Sequence, residues 1–108
     1  MSDKSISTIG SGNVYADLGL PDTDEYMAKS ELAVRIFKIV KARRMTQTEA
    51  ARLLGISQPH VSALLNGRLE GFSADRLFRF LTTLGCDVKI IISRPHAKTH
   101  GHVSVAAR

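Results

Sequence analysis

Apolar side chains recur at helical spacing in several places along this chain, and most of these stretches are bracketed by residues that start or stop helices. Between about residues 22 and 43, Leu32, Ala33, Ile36, Ile39 and Val40 share one face while Arg35, Lys38 and Lys41 point elsewhere, which predicts a long amphipathic helix. Asp22, after Pro21, stands three residues before Glu25 in a capping-box arrangement, with acidic groups at the positive end of the helix. Upstream, residues 13–18 (NVYADL) are long enough for one helical turn before Gly19.

The stretch TQTEAARLLGISQPHVSALLNG, residues 46–67, repeats these signals. Thr46 and Glu49 form a second capping box ahead of the Ala50, Ala51 and Leu54 stripe. Gly55 tolerates the positive φ of a helix stop, Ser57 caps a third helix, and Ile56 and Val61 staple its entry. Pro59 fits the first turn, where its missing N–H has no intrahelical acceptor. Gly67 ends the helix, so two short helices cross at a sharp angle about Gly55. Ser73 then caps a helix carrying Ala74, Leu77, Phe78, Leu81 and Leu84, with Phe72 and Leu77 as its staple and Gly85 as its stop.

After Gly85 the period changes. CDVKIIIS is dense in β-branched residues, ends at Arg94 and Pro95, and predicts a strand whose backbone groups need a partner. That partner is a second copy of residues 87–93, a strand of another protein, or an N-terminal segment of the same chain. The first alternative makes Val88, Ile90, Ile91 and Ile92 the dimer joint. The expected fold is thus mainly α, five helices with a C-terminal strand used in dimerisation, in one domain over residues 12–94. Residues 1–11 are expected to be a disordered lead and residues 95–108 a flexible tail.

Charge adds a direction. The chain carries +5, but residues 1–31 hold six acidic against two basic side chains, a net −4, which leaves +9 on the other 77 residues. An anionic partner would bind that basic portion. No apolar run is long enough to cross a bilayer and no signal-type block opens the chain, so a cytoplasmic location is expected. Cys86, the one cysteine, reads as a small buried hydrophobe. His96, His100 and His102 lack a ligand-like spacing, and no metal or cofactor is expected. Asp22, Asp24 and Glu25 cluster at a helix start, which explains them without catalysis. No convergent acid, base or nucleophile set suggests an enzyme.

The third helix carries the functional signal. With Val61, Leu64 and Leu65 turned inward, Pro59, Ser62, Ala63 and Asn66 face outward, flanked by Gln58 and His60. Such a small, polar face approaches base edges in a DNA major groove, where Gln58 and His60 offer donors and acceptors. Base contact is accordingly expected from Gln58, Pro59, His60 and Ser62. A protein-interaction module, in which the acidic lead docks a basic partner without DNA, is the alternative.

Residues 46–67 resemble the helix-turn-helix of the Xre/Cro class of phage-repressor-like regulators, through Gln47, Ala51, Gly55, Ile56, Gln58 and the Val61, Leu64, Leu65, Asn66, Gly67 run. The resemblance implies that Gln47 braces the DNA backbone and Gln58, that Gln58 contacts a base, and that Asn66, Arg68, Thr48, Arg43 and Arg44 hold phosphates. Pro59 departs from the pattern by removing a polar side chain. Residues 12–93 are also similar to HigA-like antitoxins of bacterial toxin–antitoxin pairs, which implies a five-helix, repressor-like core and a homodimeric repressor on an inverted-repeat operator. It further implies a RelE/HigB-like ribonuclease toxin as partner. A stand-alone regulator of the same fold is the alternative.

Overall fold

The computed structural model describes residues 22–95 and 101–106. Four helices appear there: α1 (Asp22–Ala42), α2 (Gln47–Leu54), α3 (Gln58–Leu65) and α4 (Ala74–Thr83). The long α1 packs along α4 and against α3, and α2 crosses α3. Ile36 of α1, Val61 and Leu64 of α3 and Leu77 of α4 are fully enclosed where the helices meet. These apolar contacts supply the main driving force for folding, since helices this short are marginal alone.

The start signals work as their residue types dictate. Thr46 N–H donates to Glu49 Oε1 at 2.8 Å and Glu49 N–H to Thr46 Oγ1 at 3.1 Å, so both halves of the capping box are present. Ser57 Oγ accepts from His60 N–H and Ser73 Oγ from Arg76 N–H. At the start of α1 Glu25 pairs with Lys29 one turn on, at 3.2 Å, and the side chain of Asp22, the expected cap, lies outside what the structure describes.

All four helices end in one way. A residue in the left-handed region follows each last turn: Arg44, Gly55, Gly67 and Gly85, with φ of 54°, 72°, 78° and 95°. The next N–H reaches back five residues, Met45 to Val40, Ile56 to Ala51, Arg68 to Ala63 and Cys86 to Leu81, at 2.9–3.1 Å. This closure satisfies carbonyls that would otherwise lack a partner. Three of the four sites use the residue best suited to positive φ, and α1 uses an arginine.

Two expectations for the architecture are corrected. The described residues contain four helices and no strand, and residues 13–18, where a fifth helical turn was expected, lie outside them. Residues 86–95 have no regular secondary structure. Val88 is half-buried against the chain's own core, whereas Ile90, Ile91 and Ile92 are 52%, 82% and 70% exposed. A β-branched run becomes a strand only when another strand satisfies its N–H and C=O groups, and a lone bundle of helices offers none. The strand-built dimer joint therefore has no strand to rest on.

Residues 101–106 return to the bundle. Val103 N–H donates to Asp24 Oδ2 at 3.0 Å, His102 Nδ1 stands 3.3 Å from the same oxygen, and Val103 and Val105 pack partly against the core. No helix among the described residues is long and apolar enough to cross a membrane.

Candidate nucleic-acid interface

The site is built on the crossing of α2 and α3. Ala50 and Ala51 are buried between the helices, where a larger side chain would force them apart. Gly55 turns the chain with nothing near the position of a Cβ, so its φ of 72°, rather than crowding, is what calls for glycine there. Pro59 is the second residue of α3 and leaves no intrahelical bond unmade.

With Val61 and Leu64 wedged into the core, Gln58, Pro59, His60 and Asn66 are exposed and Ser62 is half-buried. Ala63, expected on the outer face, instead packs partly against the core. The outward surface is therefore narrower than the helical wheel indicates. Gln47 and Thr48, the first two residues of α2, are exposed, as are Arg44 in the α1–α2 turn and Arg68 just past the left-handed Gly67. The α1–α2 turn, the start of α2, α3 and the turn after it thus carry every expected DNA-contacting residue. Such a surface combines backbone N–H groups of a helix start with guanidinium groups, the two main kinds of phosphate donor.

Several of these side chains have intramolecular duties that spacing does not reveal. Arg43 donates through Nη2 to the Leu84 carbonyl, past the last turn of α4, and so ties the α1–α2 turn to the far end of that helix. The His60 ring meets the buried Phe72 ring edge-on at 6.1 Å. Phe72 in turn packs edge-on with Phe80 at 6.0 Å, and the Arg76 guanidinium lies 5.2 Å and 5.6 Å from the two ring centroids. His60 is thereby seated on the core while still open to solvent, and Arg76 joins a supporting layer behind α3. The GFSADR stretch placed Phe72 as a staple but could not show its contact with His60, which arises only through the tertiary fold, whereas the spacing of four residues from Arg76 to Phe72 and to Phe80 was a local signal that went unread.

Among the described residues no group of three His, Cys, Asp or Glu side chains is placed to hold a metal ion. His102 faces Asp24, and His96 and His100 lie outside the described residues.

Residues 14–93 match the family model described as helix-turn-helix domain. The chain belongs to that family. A solved structure named as an XRE family transcriptional regulator has 42% sequence identity with it and a TM-score of 0.74, and the alignment covers 82% of this chain and all of the other. Identity at that level over the whole of the other chain makes this an XRE-type helix-turn-helix protein. No curated protein matches it significantly. In this helix-turn-helix protein the two helices and turn of the motif are α2, residues 55–57 and α3, and the first two residues of each helix are exposed.

Proposed function

We propose that this helix-turn-helix protein is a DNA-binding transcription regulator that inserts α3 into the major groove. The observation that carries the reading is the outward face of the exposed Gln58 and Pro59 and the half-buried Ser62 on a helix whose opposite side, Val61 and Leu64, is locked into the core. Gln58 and Ser62 contact base edges, His60 approaches from a ring-anchored position, and Pro59 lies against the groove wall. Gln47, Thr48, Asn66, Arg68 and Arg44 take phosphates, and Arg43 helps to fix the turn that presents them. No reaction chemistry is assigned to the protein: it acts by occupancy.

The functional unit is a homodimer on an inverted-repeat operator, with two α3 helices in successive major grooves about 34 Å apart on one face of the duplex. The similarity of residues 12–93 to HigA-like antitoxins supports a finer role as the antitoxin of a toxin–antitoxin pair, with a RelE/HigB-like ribonuclease as second partner. The three exposed isoleucines after α4 supply an apolar surface for such a partner. Co-expression with the product of an adjoining reading frame tests this. Recovery of a stoichiometric complex with a small basic ribonuclease supports the antitoxin role, and its failure leaves a stand-alone regulator.

DNA binding itself is tested by titrating labelled duplex at several salt concentrations. Six to eight neutralised phosphates per dimer correspond to a slope of log affinity on log salt of roughly −5 to −7. A flat response would refute the DNA-binding reading.

A further inference from the structure

The outer face of α1 carries an apolar seam that the described residues leave largely exposed. Met27, Val34 and Phe37 are 59%, 44% and 40% exposed, and with the half-buried Ser30 they follow one another at spacings of three and four residues, as in helices that pair along their length. On one side the seam opens into a groove whose floor and far wall include Ala33, Leu65 and Leu69. Lys41 closes its end by lying over the Phe37 ring at 5.8 Å. The other edge is charged and exposed: Glu31 and Lys38 stand there, seven residues and about 10 Å apart along the helix.

That edge is complementary to itself. A two-fold axis perpendicular to α1 and passing beside Val34 sets two copies of the helix antiparallel, face to face. It carries Glu31 of each copy to the level of Lys38 of the other, and it puts Phe37 over the gap between Ser30 and Val34 of the second copy. An isologous joint needs just this property, one patch that matches its own rotated image. A parallel arrangement would instead put the Glu31–Lys38 edges of the two copies on opposite sides of the joint, where neither meets its charge complement.

We infer that the α1 seam is the homodimer joint, two α1 helices packing antiparallel about Val34 with reciprocal Glu31–Lys38 pairs. The inference rests on the dimeric reading above and names the surface that serves it. The groove lies at the C-terminal end of α3, so the joint sets the spacing and angle of the two α3 helices, and with them the spacing of the operator half-sites.

The test is analytical ultracentrifugation of the full chain and of Glu31→Lys, Lys38→Glu and the double variant, with circular dichroism to confirm that each is folded. Both positions are solvent-exposed. Each single change places like charges across the joint twice and is expected to weaken self-association about tenfold or more. The double change restores it, and an equimolar mixture of the two single variants forms heterodimers more tightly than either forms homodimers. Unchanged self-association in both single variants overturns the inference while leaving the homodimer itself intact, since the joint would then lie elsewhere and the seam would serve another protein. A wild-type chain that stays monomeric at all concentrations, with or without duplex, overturns the inference and the dimeric reading together.

Discussion

The Asn66 side chain closes back on Ser62: its Nδ2 donates to the Ser62 carbonyl at 2.8 Å and reaches the Ser62 Oγ at 3.4 Å. Two residues expected to serve DNA separately, one at a base and one at a phosphate, form one unit at the end of α3. Their substitutions should therefore come apart in a defined way. Ser62→Ala keeps the carbonyl bond and is expected to change chemical stability by less than about 0.5 kcal/mol while shifting base preference. Asn66→Ala loses the side-chain donor to the Ser62 carbonyl, which the Asn66 N–H still reaches at 3.0 Å, and is expected to cost about 1 kcal/mol in urea melts and to weaken all duplexes alike. Equal stability losses from both changes would contradict this division.

Arg44 holds φ at 54°, where the other three helix ends have glycine. A side chain in that region costs about 1 kcal/mol relative to glycine. Arg44→Gly is accordingly expected to raise the unfolding free energy by about 0.5–1 kcal/mol, the added freedom of the unfolded chain offsetting part of the gain. If Arg44 holds a phosphate, the same variant binds every duplex more weakly and its salt slope becomes shallower by about one. A variant both less stable and unaltered on DNA would remove Arg44 from both roles.

How much of this was legible follows from where each signal resides. Thr46 with Glu49, Ser57, Ser73, Gly55, Gly67 and Gly85 act within four or five residues of themselves, so their short-range chemistry could be read from the chain and reappears in the hydrogen bonds. The end of α1 falls within a residue of the expected position, but its left-handed closure could not be read, because Arg44 has no intrinsic preference for positive φ. The run at residues 87–93 was misread because β-branching reports side-chain fit to a sheet and says nothing of whether a neighbouring strand exists. At the candidate interface the exposed face of α3 was legible from its periodicity. The tie from Arg43 to Leu84, 41 residues away, and the meeting of His60 with Phe72 depend on tertiary contacts that no local pattern encodes, whereas Arg76 stacks on Phe72 and Phe80 at the local spacing of four residues.

The seat of His60 on Phe72 gives a third expectation. Phe72→Leu keeps an apolar side chain under α3 but removes the ring edges that meet His60, Phe80 and Arg76. The stability loss should be about 1–1.5 kcal/mol, well short of the 3 kcal/mol or more of Phe72→Ala. Base discrimination should fall at the position His60 approaches, without a change in salt slope, as read by anisotropy titrations on single-base operator variants. Unaltered discrimination in Phe72→Leu would mean that the ring contact does not position His60 for DNA.

Asp24 anchors residues 101–106 through the Val103 amide at 3.0 Å. Asp24→Ala is expected to release that segment, seen as faster hydrogen exchange at the Val103 amide, while amides of α3 and α4 keep their protection. Because the carboxylate is mostly shielded by neighbouring atoms yet close to solvent, the effect on global unfolding should stay within about 1 kcal/mol. Uniform loss of protection across the bundle would show instead that this contact is part of the cooperative core.

Most directly, the role of α3 is tested by operator selection from a random duplex pool, followed by titration of wild type and Gln58→Ala on that operator and on its single-base variants. The expected result is an inverted-repeat operator and, for Gln58→Ala, a loss of about 1–3 kcal/mol of discrimination at one base pair per half-site, the other positions being read as before. Selection of no consensus, or a Gln58→Ala protein that reads every position as the wild type does, would contradict the assignment of α3 as the reading helix.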